Sequence, residues 1–113
     1  MRKIIILIAC ALFIQLKGFA QTQIEMNKDA SDYYEVADKK MTKIYKEVMS
    51  NLNPEDKKLL LDAQRNWVKY KESHCKSVKN GFKKGSIQTL TYYTCLLEAT
   101  EERIKQLQKY KVN

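Results

Sequence analysis

Two cysteines, Cys75 and Cys95, stand twenty residues apart on either side of a break containing Gly81 and Gly85. This arrangement constrains the chain more than any other feature. The stretch around it, Asp62 to Cys95, also holds the only Trp and the only His. Cys75 and Cys95 are the two cysteines left beyond the first twenty residues, an even number that reads as one disulfide in an oxidising compartment. The bridge joins two helices and closes a loop of about 20 residues, worth about 3 kcal/mol in the loop-entropy account. A chain of 113 residues builds one small domain with a limited core, so such a staple matters.

The first twenty residues are a different object. Arg2 and Lys3 precede an almost wholly apolar run from Ile4 to Leu16, and Gly18-Phe19-Ala20 places small residues at the −3 and −1 positions before Gln21. This is the pattern of a secretory signal peptide over residues 1–20, with a single domain over 21–113. The run is too short for a comfortable membrane span. Leu7-Ile8-Ala9-Cys10 also resembles a lipobox, with lipidation of Cys10 after cleavage. The apolar run continues past Cys10 to Phe13, however, so Cys10 reads better as part of the signal core. The expected location is therefore the periplasm or the outside. Cleavage removes Arg2, Lys3 and Lys17 and leaves 18 basic against 13 acidic residues, a charge of +5. That mild excess suits an anionic envelope surface but is a weak footprint for nucleic acid.

Beyond residue 26 the apolar spacing is helical throughout. Tyr34, Ala37, Met41, Ile44 and Val48 step by three and four, with Asn27 or Asp29 as the expected N-cap. Gln21 to Met26 reads as a frayed lead-in. Asn53 caps a second helix and Pro54 fits its first position, where no backbone donor is needed. That helix should run to about Val78, with Leu60, Ala63, Trp67, Tyr70 and His74 as its apolar stripe. Ser86 caps a third, carrying Leu90, Tyr93, Leu97, Thr100, Ile104 and Leu107, which fades near Tyr110. The fold expected is all-α: an antiparallel three-helix bundle, up-down-up, with helices one and two packed together. Trp67, Tyr70, Ala63, Leu97 and Ile104 are the expected core beside the Cys75–Cys95 disulfide. The two cysteines lie at unequal distances from the turn. Either helix two ends soon after Cys75, or the segment after Gly85 starts extended.

No catalytic constellation is present. No glycine-rich loop follows a strand, and His74 and Cys75 are adjacent and diverge on a helix, with no second His to help hold a metal. Glu98, Glu101 and Glu102 crowd helix three, which a solvated acidic face explains better than paired catalytic acids. No cofactor and no metal are expected. The turn residues Asn80, Phe82, Lys83, Lys84 and Ser86 are the candidate partner contact.

In combination, Ala37-Asp38, Tyr45, Ala63-Gln64-Arg65, Trp67, Tyr70, Cys75, Gly85-Ser86, Cys95, Thr100, Arg103 and Leu107 resemble the LprI-type lysozyme-inhibitor domain family. The resemblance covers roughly Asn27 to Leu107. It implies a small exported helical domain whose partner is a lysozyme or another peptidoglycan hydrolase; the lack of a catalytic site points to no enzymatic activity, and an exposed apolar face on three helices would allow a monomer or a dimer. The alternative is an envelope adaptor that binds an anionic wall polymer or a protein without inhibiting it. Two positions depart from the family pattern. Asp29 stands near where members often carry another cysteine, and Lys71 stands where Arg is common. The matching motif looks structural: Trp67 in the core and Arg103 paired with an acid such as Asp38. Many lysozymes are cationic and would repel a +5 chain, so inhibition needs either a short-range plug, such as a residue from Asn80 to Ser86, or a less basic peptidoglycan hydrolase as target.

Overall fold

A computed structural model describes the backbone at residues 2–82, 85 and 87–110, and the side chains from residue 22 onward within those ranges. Three helices make up the fold: α1 (Arg2–Ser50), α2 (Pro54–Asn80) and α3 (Ile87–Leu107). The order is up-down-up. Met41 and Tyr34 of α1 meet Gln64 and Lys71 of α2, so rising numbers meet falling ones. Cys75 and Gln64 of α2 meet Cys95 and Arg103 of α3 in the same antiparallel sense.

The first helix differs from the sequence expectation. It does not begin at Asn27 but continues unbroken through Gln21–Met26 from the apolar run before it. No proline or glycine interrupts residues 21–50, and residues such as Gln, Glu, Met and Lys favour helix. Asn27 is therefore no cap; its Oδ1 accepts from Gln23 Nε2 one turn earlier, at 3.1 Å.

The turn into α2 follows the sequence. Asn53 is the N-cap in an extended conformation, and its Oδ1 accepts from the Asp56 N–H at 2.8 Å. Pro54 takes the first turn, and Glu55 and Asp56 lie where the helix dipole favours acids. Packing departs from expectation here. α3 is the central helix, with its backbone close to both α1 and α2. The latter two meet mainly through long side chains rather than as the closely packed pair expected.

The bundle is layered along its length. At the end holding the α1–α2 turn, Met41, Val48, Leu60, Ile104 and Leu107 form the apolar core. Ile44, Tyr45, Met49, Leu52 and Trp67 pack around it. The middle carries buried polar groups: Gln64, Lys71, Thr100 and Arg103. Toward the α2–α3 turn the interior narrows to Ala30, Ala37, Leu96 and Cys75. Cys75 is bonded to Cys95 with Cα atoms 5.5 Å apart. The disulfide thus supplements a thinner apolar interior at that end.

The unequal offsets of the two cysteines are resolved in neither expected way. α2 continues five residues past Cys75, and α3 is helical for eight residues before Cys95. The difference corresponds to about 4.5 Å of helix rise. Gly85, between α2 and α3, has φ +90°, a conformation that side-chain-bearing residues rarely adopt.

Candidate partner-binding face

The inward stripe of α2 is turned by one residue from the expected one. Leu60, Gln64, Lys71 and Cys75 are buried, whereas Ala63 is exposed and Tyr70 is 61% exposed. Apolar spacing favoured Ala63, Tyr70 and His74 because it discounts Gln and Lys. Inside this bundle those polar side chains find partners, and Tyr tolerates solvent at its hydroxyl end. Trp67 is half-buried on the boundary. Leu97 is half-buried and Ile104 is buried.

Buried polar groups connect the helices. Arg103 Nε donates to Gln64 Oε1 at 2.9 Å, and Gln64 Nε2 donates to Met41 Sδ at 3.1 Å. Arg103 Nη1 donates to Gln106 Oε1 at 3.1 Å, while Nη2 is buried without a hydrogen-bond partner. Arg103 therefore pairs with two amides rather than with Asp38 or another acid. Burial pushes its pKa below the ordinary arginine value, and Tyr110 and Tyr45 push it partly back. Lys71 Nζ donates to the Tyr34 hydroxyl at 2.9 Å. The same ammonium lies 4.9 Å from the Trp67 ring centroid, and Arg103 Cζ lies 5.9 Å from it. Trp67 is thus flanked by two cations, its π-system replacing the missing carboxylate. Sequence reasoning missed Gln64 and Lys71; the signal was their place with Leu60 and Cys75 on one helical face.

These groups fix the backs of α2 and α3, and the flank of α2 that carries Tyr70 and His74 faces an open groove. The Tyr70 and His74 rings stack nearly parallel, with centroids 5.4 Å apart. Beside them a cavity of about 350 Å³ is bordered by Trp67, Cys95, Glu98 and Glu102. A second cavity, of about 500 Å³, continues toward the turn between Val78, Phe82, Ile87 and Leu90. His74, Cys95 and Glu98 border both, so the two form one groove along α2 and α3. Glu101, grouped with Glu98 and Glu102 by sequence, borders the α1–α3 face instead.

Of the candidate contacts, Asn80 is exposed at the end of α2 and Phe82 is 44% exposed just beyond it. Lys83, Lys84 and Ser86 lie outside the described residues. Among the described residues, no group of three or more His, Cys, Asp or Glu is gathered as a metal site would need. No helix there is long and apolar enough to cross a membrane.

The fold is a disulfide-stapled three-helix bundle in which buried Gln64, Arg103 and Lys71 gather around the half-buried Trp67, with an open groove beside the α2–α3 turn. The family model described as lysozyme inhibitor LprI matches residues 17–107, and the chain belongs to that family. The Gln64, Trp67 and Arg103 that carry the sequence resemblance are the residues tying the helices together. The chain is also 27% identical over 103 residues to an uncharacterized protein of Rhizobium meliloti (strain 1021). That match covers 80% of this chain and 74% of the relative. No solved structure matches.

Proposed function

We propose that this chain is an exported, non-enzymatic inhibitor of a lysozyme or another peptidoglycan hydrolase. In this reading residues 1–20 direct export and are removed, and the α2–α3 turn is set against the mouth of the enzyme's cleft. The observation that carries the proposal is family membership over residues 17–107. The geometry of the turn supports it. Phe82 is exposed at the tip of a helical hairpin, and Cys75–Cys95 ties that hairpin together close behind the tip. A plug benefits from such stiffness, because ordering a loose loop on binding costs affinity.

The test is a turbidity assay. The protein, purified as export leaves it and with its disulfide formed, is mixed with lysozymes of several classes acting on cell-wall substrate. Dose-dependent protection near stoichiometric levels is expected, with Phe82→Ala weakening it. No protection at large excess, with helicity verified by circular dichroism, overturns the inhibitor reading and favours the envelope adaptor.

A further inference from the structure

We propose that the α2–α3 groove is a docking site for a basic segment of a partner protein, a cationic hydrolase in the reading above, on which the partner's identity rests. The whole chain carries 21 basic against 13 acidic residues. Even so, no Lys or Arg is among the described residues that border either part of the groove. Among the described residues its charged borders are Glu98 and Glu102, one turn apart on α3 and both exposed. Neither makes an ion pair among the described residues, where the one ion pair is Lys39–Glu35 on α1. Their carboxylates are therefore open to a guanidinium or ammonium group from outside.

The rest of the groove gives the segment a direction. Val78, Phe82, Ile87 and Leu90 make its turn end apolar, with Phe82 and Ile87 44% and 49% exposed. The stacked Tyr70–His74 pair borders the acidic end, where an aromatic face can lie against the aliphatic stem of Lys or Arg. A segment with apolar residues at one end and a basic residue at the other fits this gradient. From Ile87 to Glu102 the α3 border is about 22 Å long at the rise of an α-helix. The groove also removes the difficulty posed by net charge. A positive chain repels a basic partner at long range but offers it one negative track at contact, so docking is restricted to the orientation that reaches Glu98 and Glu102.

The experiment uses the disulfide-intact protein, two probes and three variants. The probes are a strongly basic lysozyme and a short amphipathic peptide bearing Lys and Arg. The variants are Glu98→Gln/Glu102→Gln, the control Glu101→Gln on the α1 side, and Phe82→Ala. Affinities are measured by titration calorimetry, and the bound surface by amide chemical shifts. The expected result is about tenfold weaker binding of both probes by the double variant, from two partly exposed charge pairs. The control should match the parent, and peptide-induced shifts should fall on Tyr70, His74, Glu98 and Glu102. Unchanged lysozyme affinity in the double variant, with no shifts at Tyr70, His74, Glu98 or Glu102 on binding, overturns the groove and leaves the inhibitor reading standing. Peptide in the groove without lysozyme binding does the reverse. Binding of neither probe overturns both.

Discussion

Because the apolar core and the disulfide occupy opposite ends of the bundle, losing the disulfide should damage one end first. The informative perturbation is the double substitution Cys75→Ala/Cys95→Ala, which removes the cross-link without leaving a free thiol. The bridge closes a loop spanning 20 residues, so the loop-entropy cost is about 3 kcal/mol. For a domain of this size each kcal/mol moves the melting temperature by about 4–8 °C, giving a drop of about 12–24 °C. The loss should be uneven. Toward the disulfide the buried apolar residues are few, Ala30 and Leu96 beside Cys75, whereas Leu60, Leu107, Val48 and Met41 pack at the far end. Native-state hydrogen exchange on the double variant should therefore speed up most at residues 72–80 of α2 and 87–95 of α3. Amides near Leu60 and Ile104 should keep protection set by global unfolding. Equal loss of protection at both ends, or a melting temperature within about 3 °C of the parent, would refute the division of labour.

Three further outcomes follow from single contacts. Leu60→Ala removes a side chain only 1% exposed from the apolar end and should cost about 2–5 kcal/mol in urea unfolding. Tyr34→Phe deletes the hydroxyl that accepts from Lys71 and leaves the buried ammonium with ring contacts alone. The expected cost is about 1–3 kcal/mol, and Tyr34→Phe/Lys71→Met should recover part of it. Asn53→Ala removes the acceptor for the Asp56 N–H and should cost about 1 kcal/mol by thermal denaturation, with little effect on the groove.

The helix count, the turn at Asn53-Pro54, the disulfide and the up-down-up order were legible because each rests on short-range chemistry. Asn and Pro act through local hydrogen bonding and a fixed φ, and the two cysteines beyond residue 20 have one intramolecular pairing available. The facing of α2 was not legible, since Gln64 and Lys71 look like surface residues until partners 23 and 37 positions away are brought to them. For the same reason Arg103 could be foreseen as paired but not with what. A carboxylate is the usual partner of a buried guanidinium, but here amide oxygens and the Trp67 ring take that place. The start of α1 was misread because Asn27 and Asp29 resemble caps, although nothing before them stops a helix.

The sequence also brought Glu98, Glu101 and Glu102 together as one acidic face, and in three dimensions α3 divides them. As the central helix it has two flanks, and its 3.6-residue period sends Glu98 and Glu102 toward α2 while Glu101 lies toward α1. Net charge averages over this division. It describes a mildly basic protein poorly suited to a basic enzyme, yet association depends on the potential where the surfaces meet. The buried Lys71 and Arg103 contribute to that potential as well. Both are positive charges held close behind the groove and turned away from it by Tyr34 and Gln64. Replacing Lys71 with Met should therefore make the groove more negative without touching its border. If basic partners dock there, Lys71→Met should bind a basic lysozyme at least as tightly as the parent, with a steeper loss on adding salt. Weaker binding with the fold intact would mean that Lys71 itself, rather than Glu98 and Glu102, faces the partner.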